Sequence, residues 1–258
     1  MSSSKLIFGF HAVGVRLRTS PRTVIEIFHD PERRDSRMKQ FLAKASDVGV
    51  RLLESDSERL AKLCGSSGHQ GIVARVEAIV HTHSLDKLLE DLEAANEARS
   101  ADSLPIDPPL LLVLDGVTDP HNLGACLRVA DGAGAHAVIA PKDHAVGVNA
   151  TVAKVASGAA DTVPYFMVTN LARTLGELKE RDIVCVGTSD DAPSTVYQCD
   201  LRRPVALVLG AEGAGLRQLT RKTCDELVSI PMRGAVESLN VSVATGVCLY
   251  EALRQRTL

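Results

Sequence analysis

The stretch LLLVLDGVTDPHNLGACLRVAD, residues 110–131, decides the fold. It begins with five consecutive apolar residues, Leu110 to Leu114, and such a run is typical of a strand buried on both faces of a parallel sheet. Asp119 followed by Pro120 predicts an N-cap and the first turn of a helix, which we expect to end at Gly132 or Gly134. A buried strand that leads into a helix is the repeating unit of α/β proteins.

The same alternation continues to the end of the chain. Further strands are predicted at 137–140, 183–187, 205–209 and 227–230, and further helices at 149–158, 170–180 and 215–223. Pro231 stops the last strand, and a loop that ends at Asn240 leads into a final helix. Residues 110–258 are therefore predicted to form a parallel sheet sandwiched by helices.

The first 80 residues indicate a separate, small α/β unit. Helices are predicted near 10–18, 36–48 and 58–63, with strands at 24–28, 50–53 and 71–80. The phrase Gly68-His69-Gln70-Gly71 is predicted to be a surface loop, since a histidine and a glutamine between glycines are poor core material. An amphipathic helix over 85–98 and a Ser-, Asp- and Pro-rich stretch up to 109 make 81–109 the expected linker.

Composition narrows the class of protein. In 258 residues there is no apolar run long enough for a membrane helix and no signal-peptide pattern at the start, which predicts a soluble, cytoplasmic protein. The six cysteines are scattered without Cys-x-x-Cys pairs, so we expect neither zinc nor disulfides. Residues 1–80 carry 13 Lys and Arg against 9 Asp and Glu, a net +4 in a chain of net −3. The cluster Arg33, Arg34, Arg37, Lys39 and Lys44 is either a polyanion contact or a solvated face.

Three loops should carry the chemistry, because ligands of parallel sheets bind at the carboxyl ends of strands. These loops are 115–122, 210–215 and 233–240. In the second loop Gly210, Gly213 and Gly215 allow close approach of the backbone to a ligand, with Glu212 between them, but the spacing fits neither a dinucleotide fingerprint nor a P-loop. In the third, Ser238 and Asn240 are either helix caps alone or caps that also face a ligand.

Three segments of this half, 122–128, 209–216 and 230–246, resemble the three ordered motifs of the SpoU (TrmH-type) RNA 2′-O-ribose methyltransferases. The likeness is greatest to the subgroup that methylates a guanosine in the peptidyl-transferase loop of 23S rRNA. It implies a trefoil-knotted catalytic domain over 110–258, which works as a homodimer, and an N-terminal RNA-binding domain over 1–80. It also implies that S-adenosylmethionine binds to Gly210, Ile230 and Leu239, and that rRNA is the partner.

The resemblance further implies a set of catalytic residues, namely Asn122, Arg128, Glu212, Ser238 and Asn240. Arg128 corresponds to the family's proposed base, but a free guanidinium has a pKa above about 12. We therefore expect Arg128 to grip a phosphate and stabilise the developing alkoxide, with the proton acceptor left open. Asn122 and Asn240 would orient the nucleotide or Arg128, Glu212 would hold one of these groups, and Ser238 would support its loop.

Other functions remain as alternatives. A tRNA guanosine methyltransferase would carry the same motifs, and an RNA-binding protein with an inactive site would carry the same fold. A dinucleotide-dependent oxidoreductase is disfavoured, because no strand-Gly-x-Gly-x-x-Gly-helix unit with a downstream acid occurs.

Overall fold

The computed structural model describes residues 4–77, 84–97 and 108–257. These residues fall into two compact units, which divide the chain between Val80 and His81. The end of the strand predicted over 71–80, the last residue of the helix predicted over 85–98 and most of the Ser-, Asp- and Pro-rich stretch lie outside the described residues.

The first unit is a four-stranded sheet with helices packed on it. Its strands are β1 (Ser4–Phe8), β2 (Val24–His29), β3 (Arg51–Glu54) and β4 (Ile72–Glu77), in the spatial order β1-β4-β2-β3. Its helices are α1 (Phe10–Thr19), α2 (Ser36–Asp47) and α3 (Ser57–Cys64). Asp35 and Asp56 cap α2 and α3 by accepting from Met38 N and Arg59 N. A core that includes Val13, Ile27 and Met38 lies between helices and sheet.

Two features of this unit differ from the sequence-based expectation. β1 was not predicted, because its pairing with β4 joins residues about 70 positions apart and leaves no local signal. His69 was expected on the surface but is only 5% exposed. Its Nδ1 accepts from the N–H of Gly71 at 3.0 Å. This hydrogen bond offsets the loss of hydration when the imidazole is buried.

The second unit is built on a seven-stranded sheet, which confirms the predicted parallel α/β layer. Its strands are β5 (Leu110–Asp115), β6 (Ala137–Pro141), β7 (Tyr165–Val168), β8 (Val184–Thr188), β9 (Ser194–Thr195), β10 (Val205–Gly210) and β11 (Glu226–Ser229). The spatial order is β7-β6-β5-β10-β8-β11-β9, and every pairing is parallel. The knotted threading implied by the resemblance stays a prediction.

Helices cover both faces of this sheet. They are α4 (Leu85–Glu97), α5 (Pro120–Gly132), α6 (Ala150–Ala156), α7 (Ala159–Thr162), α8 (Leu171–Lys179), α9 (Gln218–Thr223) and α10 (Val241–Thr257). Strand β5 is buried throughout, and alternate residues serve opposite layers. Leu112 packs in the layer with Leu123 of α5 and Leu249 of α10, whereas Val113 packs with Leu175 of α8. The continuous apolar run is thereby explained.

The predicted strands and helices of this half are present with shifts of one to three residues at their ends. The largest shift concerns α9, which begins at Gln218 rather than 215, because Gly215 to Arg217 belong to a loop. Strands β7 and β9 and helix α7 were not predicted; they are short, and β7 is only half-buried. Helix α4 packs against the second sheet through Leu89. No helix in the described ranges is long and apolar enough to cross a membrane.

Candidate active site

Polar side chains from the segments that follow three strands meet at the carboxyl edge of the second sheet. Asn240 Nδ2 donates to Asn122 Oδ1 at 3.0 Å and to Glu212 Oε2 at 3.2 Å. Asn122 follows β5, Glu212 follows β10 and Asn240 follows β11, so the cluster joins segments up to 118 positions apart. The structure therefore brings together Asn122, Glu212 and Asn240, which the sequence proposed as parts of one site.

Helix capping fixes two members of this cluster. Asp119 caps α5 by accepting from the N–H groups of His121 and Asn122 at 3.1 and 3.3 Å. Asn240 Oδ1 accepts from Ser242 N at 3.0 Å and from Ser242 Oγ at 2.6 Å at the start of α10. Asn240 thus caps its helix with the oxygen of its amide and joins the cluster with the nitrogen, while its contact with a ligand stays a prediction.

A cavity of about 490 Å³ lies beside the cluster. Its wall contains Gly210, Glu212, Ile230, Ser238 and Leu239, and it therefore includes all three residues predicted to bind the cofactor. The volume falls within the range of about 300–1,000 Å³ that small-molecule sites occupy. The loops after β10 and β11 form most of the wall, as expected for ligand sites of parallel sheets.

The loop after β10 folds back on its own strand. A Cβ built on Gly210 would lie 2.0 Å from the carbonyl carbon of Gly215 and 2.2 Å from its oxygen. Gly215 N donates to Ala211 O at 2.9 Å, and Gly213 and Gly215 have φ angles of 77° and 65°. Gly210 is therefore required for the crossing, whereas the other two glycines allow the tight turn.

A buried carboxylate holds the far end of this loop. Asp115, the last residue of β5, has a fully buried side chain, and its carboxylate accepts from Arg217 N at 2.9 Å and from Arg217 Nε at 2.6 Å. Arg217 Nη2 lies 2.5 Å from Asp115 Oδ1. Sequence reasoning missed this pair. An acid at the end of an otherwise apolar, buried strand was the available signal, since such a charge needs a partner.

The charge of the cavity wall is negative. Asp190, Glu212 and Glu237 contribute carboxylates, and among the wall residues that the structure describes the only basic one is Arg221. The guanidinium of Arg221 is paired with Asp191 at 2.9 Å. The wall therefore favours a ligand that carries positive charge.

Gly124 has a packing role that the sequence analysis did not identify. A Cβ at this position would lie 2.7 Å from Val155 Cβ and 2.9 Å from Val152 O, both on α6. The glycine lets α5 and α6 approach closely, at a point two residues beyond Asn122 in α5. A glycine inside a predicted helix was the signal for such a close approach.

Arg128 and Ser238 occupy different places. Ser238 lies in the cavity wall. Arg128 lies on α5 six residues beyond Asn122, is exposed, and is not part of the cavity wall formed by the described residues. Its catalytic role stays a prediction.

Cys126 and Cys248 are two of the buried cysteines of the second unit. Burial raises the pKa of the Cys126 thiol to about 11 and that of the Cys248 thiol to about 12, so both are protonated near neutral pH. Throughout residues 4–77, 84–97 and 108–257, no three or more His, Cys, Asp or Glu side chains are grouped so as to hold a metal ion.

Known proteins similar to this chain share both units. The sequence model of the SpoU rRNA Methylase family matches residues 109–250, and a model described as RNA 2′-O ribose methyltransferase substrate binding matches residues 6–82. A 23S rRNA (guanosine-2′-O-)-methyltransferase RlmB from Ralstonia nicotianae is 60% identical over 258 residues, which cover 100% of this chain and 98% of that protein. The RlmB of Bordetella pertussis is 56% identical over 256 residues, which cover 99% of both chains.

A solved structure shows the same likeness together with a cofactor. The SpoU methyltransferase AviRb from Streptomyces viridochromogenes, in complex with AdoMet (S-adenosylmethionine), superposes with a TM-score of 0.72 at 26% identity. The match covers 98% of this chain and 91% of that chain.

Proposed function

The chain belongs to the SpoU rRNA methylase family, and we propose that it transfers a methyl group from S-adenosylmethionine to the ribose 2′-OH of a guanosine in 23S rRNA. The observation that carries this proposal is the cluster of Asn122, Glu212 and Asn240 at the mouth of an acidic cavity. By resemblance, the guanosine lies in the peptidyl-transferase loop. We place the reaction in the cytoplasm, where rRNA is made and modified in bacteria.

The cavity suits S-adenosylmethionine in size, backbone and charge. Its wall includes Gly210, Ile230 and Leu239, which are the residues proposed to hold the adenosyl group. The ligand carries a positively charged sulfonium, which the carboxylates of Asp190 and Glu237 attract. When bound, the cofactor supplies the methyl group for an in-line displacement.

The protein's contribution to that reaction is positioning. Asn240 Nδ2 is held by Asn122 and Glu212, so its amide is fixed before RNA arrives, and Asn122 is fixed by the cap of α5. We propose that these two amides orient the target ribose. Ser238, which lies in the cavity wall, is proposed to support the loop that carries Asn240.

Arg128 is proposed to hold the phosphate next to the reacting ribose. Its guanidinium keeps its charge and offers a planar fork of donors, which matches a phosphate oxygen pair and stabilises negative charge on the 2′-oxygen. Its exposure leaves it accessible to RNA. The proton of the 2′-OH passes to the phosphate, or to Arg128 if its guanidinium enters the reaction deprotonated.

The two units have different proposed tasks. Residues 1–80 bind the RNA substrate, as their match to the substrate-binding model and their net +4 charge suggest, 81–109 link the units, and 110–258 carry out methyl transfer. A homodimer through the catalytic domain is also proposed. Val243 and Tyr250 are 52% and 51% exposed on α10, and a second copy would cover these apolar surfaces.

Ribose methylation of total RNA from a strain that lacks this gene tests the proposal. Loss of one 2′-O-methylguanosine in 23S rRNA, restored by the wild-type gene but not by an Asn240→Ala variant, is the expected result. Loss of a methyl group in tRNA would transfer the activity to that substrate. An unchanged methylation pattern, together with no methyl transfer by the purified protein, would leave an inactive RNA-binding protein.

A further inference from the structure

The turn His69–Gly71 of the first unit combines a buried, hydrogen-bonded side chain with two residues of positive φ. Besides the buried His69, which accepts from Gly71 N, the turn contains Gln70 with a φ angle of 53° and Gly71 with a φ angle of 76°. A glutamine in the left-handed region is uncommon and costs conformational energy. The methyl-transfer site described above makes no use of this turn.

Gln70 uses its unusual conformation to bind two neighbouring segments. Its side-chain Oε1 accepts from Phe10 N at 3.3 Å at the start of α1, and its main-chain oxygen accepts from Arg33 Nη1 at 2.6 Å. A Cβ on Gly71 would lie 3.2 Å from Cδ of Arg33, so the glycine leaves room for the arginine stem. The turn therefore fixes Phe10 and Arg33 relative to each other.

Two guanidinium groups converge on the Phe10 ring. The Cζ atoms of Arg33 and Arg37 lie 4.8 and 4.4 Å from its centroid, within the range of cation–π interactions. Phe10 itself is only 5% exposed and packs edge-on against Phe41, so its face serves as a platform for the arginines rather than for a base. The protein thus holds two like charges on one ring, and a carboxylate partner is recorded for Arg33, namely Asp35.

The charges around this pair are mixed, since residues 30–37 contain Asp30, Glu32 and Asp35 as well as Arg33, Arg34 and Arg37. Arg33 Nε is bound to Asp35 at 2.6 Å, but Asp35 also caps α2. Arg37 is exposed, and Arg34 adds a third cation in the same loop. The pair lies at the edge where β2 ends and β4 begins, in the unit whose net charge is +4.

We propose that Arg33, held by the His69–Gly71 turn, and Arg37, which lies over the same Phe10 ring, form a phosphate-binding site for the RNA backbone. This inference rests on the proposed function, and it names the face of the first unit that holds the substrate. A guanidinium whose orientation is already fixed loses little conformational entropy on binding, and its fork matches the oxygens of a phosphodiester. The site adds affinity for the strand and does not read its sequence.

The test compares two arginines that carry the same charge at opposite ends of one strand. Arg37→Ala removes a member of the pair. Arg22→Ala removes an exposed arginine from the short 3-10 helix Pro21–Thr23, which precedes β2 and lies at the other edge of the sheet. Binding of the full-length protein to a 23S rRNA fragment is measured as a function of salt. Phe10→Leu, which keeps both arginines but removes the aromatic face, is the third variant.

We expect Arg37→Ala to weaken RNA binding about tenfold and to reduce the slope of log K against log salt by about 0.7–0.9, the value of one lost phosphate contact. Arg22→Ala should change affinity less than about twofold, since long-range charge alone is screened. Phe10→Leu should weaken binding about threefold with little change in slope, because the charges remain. In turnover assays, Arg37→Ala should raise the KM for RNA.

Several results would overturn the site. Equal losses for Arg37→Ala and Arg22→Ala would mean that only net charge matters, and a loss confined to kcat would assign Arg37 to another step. If an acidic polypeptide bound in an Arg37-dependent manner while RNA did not, the face would belong to a protein partner. Should the wild-type protein methylate no rRNA, the proposed function fails separately, because the binding comparison still decides whether these arginines hold RNA.

Discussion

Gly210 is the position where one added methyl group should do most harm to cofactor binding. The Cβ of an alanine would lie 2.0 Å from the carbonyl carbon of Gly215, 2.2 Å from its oxygen and 2.3 Å from Leu216 N. All three are main-chain atoms, so no side-chain rotation relieves the overlap. To restore an ordinary contact, the returning arm of the loop must move by more than about 1 Å in a close-packed region.

That movement has a calculable cost. Overpacking of this kind destabilises a protein by about 1–3 kcal/mol. Because the displaced arm lies in the cavity wall, cofactor affinity should fall as well, and we expect the Kd for S-adenosylmethionine to rise at least tenfold, or about 1.4 kcal/mol. Gly210→Val should abolish detectable binding.

Calorimetric titration with S-adenosylmethionine measures the Kd, and thermal unfolding measures the stability of each variant. Gly134→Ala is the matched control, since Gly134 also belongs to the second unit and has a φ angle of 73° but no atom within 4 Å of a built Cβ. It should lower the unfolding temperature through backbone strain and leave cofactor affinity unchanged. Wild-type affinity in a folded Gly210→Ala variant would refute the assignment of this loop to the cofactor site.

Three further predictions concern residues around the cavity. Arg128→Ala should abolish methyl transfer in single-turnover assays. Arg128→Lys should retain a small fraction of the activity, because Lys keeps the charge but lacks the planar fork of donors. Loss of cofactor binding in either variant would instead show that Arg128 has a structural role. Arg217→Met removes the guanidinium that pairs with the buried Asp115 carboxylate, and it should lower the free energy of unfolding by about 3 kcal/mol in urea titrations. Arg173→Met breaks an exposed pair and should lower it by less than about 0.5 kcal/mol. Equal losses would show that burial does not make the Asp115–Arg217 pair more important for stability. Gly124→Ala forces α5 away from α6 and should lower both stability, by about 1–3 kcal/mol, and kcat; a variant with wild-type kcat would show that the contact does not position Asn122.

The sheet could be predicted from the sequence because each of its inner strands carries its own evidence. Leu110 to Leu114 are buried on both faces, and this requires an uninterrupted apolar run. Asp119 and Pro120 indicate the start of the helix that follows this strand. Strands that depend on a distant partner gave no such signal: β1 is an edge strand that pairs with β4, and β9 has two residues.

The place of the site could be predicted, but the connections that fix it could not. Loops at the carboxyl ends of parallel strands meet at one edge, so Asn122, Glu212 and Asn240 were expected to be neighbours. The pairing of Asp115 with Arg217 spans 102 residues, and nothing in either local sequence selects the other as its partner. His69 was misjudged for a similar reason, since its burial depends on one hydrogen bond that composition does not reveal.

Arg128 shows how far a sequence motif constrains geometry. Helix α5 is continuous from Pro120 to Gly132, and a separation of six residues on a helix turns a side chain about 120° away and about 9 Å along the axis. Asn122 therefore faces the cluster with Asn240, while Arg128 faces solvent. Within one chain, both can serve one reaction only if the substrate reaches past the first turn of α5. A polynucleotide can do so, because its reacting ribose and its neighbouring phosphate lie at different points along the strand, whereas a small substrate could contact only one of the two positions.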